Sequence, residues 1–208
     1  MNYITLYIFI TFLFACFFNV NKRDNRLVLV LLFLALVNEL ITMILIQRNC
    51  SYLINTTLYL LVHNVVWLSI LFRYSVSKNV ILIGIVGYVL YSAVNYLFIE
   101  GSTTFNYTSF ILGAFLYLVF FIIESFYQLE KENFAFFQSN TYLLLLSPVL
   151  FYFGLSFIFG FKSSALASTV VFGTVPLYDF IGYFVNFVYY TLIIIYIYKE
   201  KKEVNGTV

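Results

Sequence analysis

Charge is what this sequence has least of: Asp, Glu, Lys and Arg make up 10% of its 208 residues, against roughly a quarter in an average soluble protein. A soluble domain of this length must cover itself with polar side chains. Long stretches here offer none, which leaves a lipid-facing surface. Histidine occurs once, so a His-Glu-x-x-His zinc site is excluded, and the two cysteines fall near opposite ends of apolar runs, where they cannot pair. No Gly-x-Ser-x-Gly elbow and no phosphate-binding glycine loop occurs. These absences argue against a conventional enzyme and imply neither metal nor cofactor. A net charge of +2 provides no field for holding nucleic acid. A retinal Schiff base would need a lysine inside the last apolar run, which has none before Lys199. Lipidation of Cys16 is not expected, because Leu13-Phe14-Ala15-Cys16 follows no basic segment.

What is present is apolar side chains, 63% of the chain, in repeated runs. A helix needs about 20 apolar residues to cross hydrocarbon, at ~1.5 Å of rise each. Seven runs approach that length: 3–20, 27–47, 52–72, 80–98, 107–127, 141–160 and 176–198. They predict an all-α polytopic membrane bundle, a single transmembrane domain over 1–208. Residues 27–37 are apolar on every face, which suits a helix in lipid and not the alternating strand of a barrel.

Orientation follows from the cations flanking the runs, since positive residues are retained in the cytoplasm. With the first joint inside, Lys22, Arg23, Arg26, Arg73, Lys78, Lys131, Lys199, Lys201 and Lys202 are cytoplasmic, and only Arg48 and Lys162 remain outside. The pattern predicts seven spans in a cell (inner) membrane, the N-terminus outside and the C-terminus cytoplasmic. Tyr3, Tyr52, Tyr74, Tyr107 and Tyr198 at the run ends read as an interfacial belt. Lys162 to Val175 reads as a surface helix or a re-entrant loop, the helix being preferred because irregular backbone is not tolerated against lipid. The order of runs permits a 3+1+3 layout, two parallel three-helix repeats around a linker. Asn2-Tyr3-Ile4-Thr5 resembles Asn106-Tyr107-Thr108-Ser109, and Leu58-Tyr59 echoes Leu177-Tyr178.

An ionisable group inside a span costs roughly 2.5 to 3.5 kcal/mol on insertion scales, so each needs a reason. Glu39, beside Asn38, and His63, beside Asn64, fall ~18 Å and ~14 Å from the cytoplasmic ends of their runs, and Asn186 at a similar depth. Asn38, Glu39, His63, Asn64 and Asn186 therefore form the candidate functional cluster, with Glu39 and His63 meeting across neighbouring helices. One reading is interhelical hydrogen bonding, at ~0.6 to 2 kcal/mol per bond. The other is a proton- or ligand-responsive switch, which Glu39 favours because a glutamine would make similar bonds at less cost. Glu124 and Asp179 read as interfacial, with Glu124 in reach of water. Pro148 removes a backbone bond in the sixth run and makes a kink that serves as hinge or as packing. Ser156 and Gly160, four apart, offer a close helix contact, and Trp67, one turn from His63, is expected to pack on it. The sequons at Asn55, Asn106 and Asn205 are too short to imply glycosylation.

Asn38-Glu39-Leu40 in the second run, and Asn186-Phe187-Val188-Tyr189-Tyr190-Thr191-Leu192 running into Lys199, carry one resemblance. In these residues and in overall layout the chain resembles small uncharacterised seven-span proteins of bacterial inner membranes. The resemblance implies a location and no activity. The expected role is a non-enzymatic sensor or accessory subunit that changes helix packing around Glu39 and His63. With short loops, a signal to a membrane or cytoplasmic partner leaves through the Gln128 to Asn140 joint or the stretch from Lys199. The runner-up is a small-solute or proton-coupled transporter with cargo bound between the repeats. Behind both stands an intramembrane enzyme using Glu39 or His63 as base.

Overall fold

The computed structural model describes residues 3–18, 22–101, 103–160 and 168–206. The helices are α1 (Tyr3–Phe18), α2 (Arg23–Gln47), α3 (Leu53–Tyr74), α4 (Lys78–Val94) continued by a π-helical turn (Asn95–Ile99), α5 (Tyr107–Glu130), the short α6 (Phe134–Gln138), α7 (Asn140–Gly160) and α8 (Leu177–Val204). A two-stranded hairpin, β1 (Val170–Phe172) and β2 (Val175–Pro176), precedes α8.

The helix stops are local. Asn49 and Glu132 both take a left-handed φ of 53° just beyond α2 and α5. In each case the next residue's N–H reaches back to the start of the last turn, Cys50 N to Leu45 O at 2.8 Å and Asn133 N to Gln128 O at 3.0 Å. These are the reciprocal bonds that satisfy the orphan carbonyls of a helix end.

Six helices, α2, α3, α4 with its π turn, α5, α7 and α8, are long and apolar enough to cross a membrane; α1, at 16 residues, is shorter. Their outward side chains are apolar, with Ile83 72%, Phe98 79% and Phe126 66% exposed. Such surfaces mark an integral, multi-pass membrane protein.

Neighbours follow a cycle: α1 on α2, α2 on α3, α3 on α5, α5 on α7, α7 on α8, and α8 back on α1. The remaining long helix, α4, packs against α3 and α5. Bonds between the start of α2 and the end of α3, and between the start of α7 and the end of α8, gather the Lys/Arg-rich joints at one end of the bundle, here the basic end. The hairpin lies beyond α8's other terminus.

Several expectations change. Residues 161–167, with Lys162, lie outside the described residues, but the rest of the supposed surface helix is the hairpin. Val170, Val171 and Val175 are β-branched and disfavour helix, and Gly173, at φ 57°, supplies the tight turn. The joint 23–26 is helical from its first residue, because its polar groups have partners in the bundle. The close α7–α8 contact is at Gly154, where a Cβ would overlap Val185 Cγ1; at Gly160 it would meet nothing within 4 Å. Tyr3 and Tyr107 both open helices, but Leu177 opens α8 while Leu58 lies inside α3.

Candidate functional site

The structure puts His63 near the middle of α3, 1% exposed. Its Nε2 lies 3.0 Å from the Tyr189 hydroxyl on α8, and its Nδ1 lies 3.1 Å from the Tyr152 hydroxyl on α7. One turn along α3, Trp67 Nε1 donates to the Tyr189 hydroxyl at 3.1 Å and stands 3.3 Å from His63 Nε2. An indole N–H can only donate, so the nitrogen facing it must be the acceptor. The network therefore assigns the proton to Nδ1. Hydrogen bonds then run in one direction: Trp67 to Tyr189, Tyr189 to His63 Nε2, and His63 Nδ1 to Tyr152. Rings of Tyr59, Trp67, Phe151, Tyr152 and Tyr189 surround the imidazole, the Phe151 centroid 5.2 Å away. A single side chain thus joins α3 to both α7 and α8, and Trp67 packs on it as expected.

The rest of the sequence-predicted cluster is dispersed. Asn64 turns away from His63 and donates to the Tyr88 hydroxyl on α4 at 3.0 Å. Asn38 accepts from Asn55 at 2.8 Å. Half-buried Glu39 accepts from Thr5 on α1 at 2.9 Å. Asn186 donates to Gly182 O in its own helix at 2.8 Å and lines a groove against Tyr3 and Tyr7 of α1. Glu39 and His63 do not meet, and the reason is register. Asp24 accepts from both Arg73 and Tyr74, which levels the start of α2 with the end of α3. From that level Glu39 is fifteen residues up and His63 ten, a difference of about 7.5 Å at ~1.5 Å per residue. Tyr59 fills the level of Glu39 on α3, and Tyr74 points inward to Asp24 instead of joining an interfacial belt.

Pro148 lies in α7, where it withdraws the N–H owed to Leu144 O. The Ser147 hydroxyl donates to that carbonyl at 2.8 Å, and Tyr117 on α5 donates to Leu145 O at 2.7 Å. The gap in the helix is therefore closed by the serine hydroxyl beside it, and the Tyr117 hydroxyl ties α5 to the next carbonyl. Glu124 is 2% exposed and does not reach water; it accepts from Val76 N at 3.1 Å and from Gln128 at 2.7 Å, holding the α3–α4 turn. Asp179 is exposed in the first turn of α8, as an interfacial residue should be.

A second polar layer, at the basic end, escaped the sequence reading. Tyr196 donates to Asn25 at 2.7 Å, Asn140 donates to Glu200 at 2.8 Å and to Tyr196 O at 3.1 Å, and Lys22 pairs with Glu200. The only sign in the sequence is two acids, Asp24 and Glu200, placed among basic flanks. Tyr152 and Tyr189 carried no sign, since tyrosine occurs 19 times. Among the described residues no three His, Cys, Asp or Glu side chains come together as a metal site. Comparison with family models, with curated proteins and with solved structures finds no match.

Proposed function

We propose that this protein is a seven-span, non-enzymatic sensor or accessory subunit of a cell membrane, which signals through the packing of α3 against α7 and α8. The observation that carries the reading is the fully enclosed His63, bonded through both ring nitrogens to hydroxyls on two other helices. A side chain held this way reports relative movement of three helices, and it is enclosed by protein rings on the faces where cargo would have to sit. α1 counts as the seventh span, and the basic end faces the cytoplasm by the retention of positive charge. Output leaves through α6, none of whose residues is buried and whose Phe134 is 61% exposed.

A second reading, a small-solute or proton-coupled transporter, draws on the cyclic packing order. α1–α2–α3 and α5–α7–α8 meet twice, third helix against first in both places, as two parallel three-helix repeats would, with α4 as linker.

Reconstitution separates the two. In proteoliposomes carrying an internal pH dye, the sensor reading expects no protein-dependent proton flux, and a photo-crosslinker at Phe134 captures a defined partner in cells. A proton or solute flux that Glu39→Gln abolishes would establish the transporter instead.

A further inference from the structure

Between α3, α4 and α5, on the side away from the basic end, lies a cavity of about 180 Å3. One water needs ~10–15 Å3 of such space, and drug-sized sites begin near ~300 Å3, so the volume suits a small molecule. Its wall is apolar where Leu60, Tyr88, Phe105 and Phe110 meet. Asn106 also lines it, 2% exposed, and neither its Oδ1 nor its Nδ2 has a hydrogen-bond partner. Buried amides with both halves unpaired are rare in native proteins.

A second observation lies beside the first. The π-helical turn begins at Asn95, which is fully buried; its Nδ2 donates to Glu100 at 2.6 Å and to the cavity-lining Ser109 at 2.8 Å, while its Oδ1 has no partner. Single π turns recur at functional sites. Leu58 and Val89 on the rim are 53% and 40% exposed, so the cavity opens sideways between α3 and α4 onto the apolar exterior. Among the described residues no charged side chain lines it.

We propose that this cavity binds a small uncharged molecule with an amide-type edge, which pairs donor to acceptor and acceptor to donor with Asn106. The apolar body of that molecule lies against Tyr88, Phe105 and Phe110, and it enters from the bilayer. The assignment goes beyond the packing role of His63 and does not depend on it, since binding here is measured directly.

The test uses the full chain in nanodiscs and saturation-transfer NMR with benzamide and acetamide as probes. At least one of them should bind saturably. Asn106→Ala should weaken that binding roughly tenfold or more, as expected for two lost buried hydrogen bonds. Toluene and benzoate, one without the edge and the other charged, should compete comparably poorly. Ala93→Leu narrows the cavity while leaving Asn106 in place, and it should also weaken binding, so the test survives if the Asn106 variant does not fold. No saturable binding of either amide, as for a cavity that holds only water, would overturn the proposal. So would equal binding by a folded Asn106→Ala protein, or toluene competing as well as benzamide.

Discussion

Trp67 and His63, one turn apart on α3, share the hydroxyl of Tyr189: the indole donates to it, and it donates on to the imidazole. The arrangement permits one neutral tautomer only. Imidazole 15N NMR on the histidine-labelled protein should show the proton on Nδ1. A spectrum with the proton on Nε2 would break the assigned direction of the network, since Nε2–H would then face an indole N–H.

Replacing His63 removes a buried ring and strands two hydroxyls. His63→Ala should cost about 3–5 kcal/mol, the range for emptying a well-packed aromatic site. Thermal unfolding in detergent reads it, and a loss below ~1 kcal/mol would mean that the three helices do not depend on this contact.

Asp24 and Arg73 align α2 with α3. Removing the arginine leaves a nearly buried carboxylate with Tyr74 as its remaining partner. Losing one partner of a fully buried pair costs ~3–5 kcal/mol; Arg73 keeps 31% of its side-chain surface exposed, so Arg73→Ala should cost less, about 2 kcal/mol. In a double-mutant cycle with Asp24→Asn, the two changes should be clearly non-additive. Additivity would show that the pair does not set the register.

The carbonyl freed by Pro148 provides a coupled test. Ser147→Ala should cost ~1–2 kcal/mol by leaving Leu144 O without its hydroxyl donor. In a Pro148→Ala background the backbone can satisfy that carbonyl itself, so the same change should cost markedly less. Equal costs in both backgrounds would mean that Ser147 does not compensate the proline.

Two glycines make a controlled comparison. A Cβ at Gly113 would stand 2.5 Å from Asn64 Nδ2 and 2.8 Å from the Tyr88 ring, whereas at Gly87 it would meet nothing within 4 Å. Gly113→Ala should destabilise by ~1–3 kcal/mol. Gly87→Ala should be neutral or stabilising by up to ~1 kcal/mol, because alanine is the better helix former. The reverse order in unfolding experiments would contradict the packing of α5 against α3 and α4.

The helices were legible because lipid demands long apolar runs, and 107–127 or 141–160 can be little else. Boundaries shifted where polar residues had partners that the sequence does not show: Asp24 and Asn25 belong to α2 because Arg73 and Tyr196 receive them. His63 and Trp67 were legible as a pair since they sit one turn apart on one helix. Their partners Tyr152 and Tyr189 were not, because the α3–α7–α8 neighbourhood is a tertiary fact. Glu39 was misplaced for a related reason: depth counted from each run's own end ignores the pair that aligns the two helices. Asn106 looked like part of a sequon, and only the packing of α3, α4 and α5 turns it into a buried amide without a partner.

The closed packing order also has a consequence in time. α1 is made well before α8, yet α8 is one of the helices it packs against in the finished bundle. Until then the first helix has α2 alone, and the Thr191 hydroxyl that Tyr7 meets in the finished protein does not yet exist. Closure of the ring therefore waits until α8 is made, and a nascent chain stalled before α8 would hold an open arc of helices.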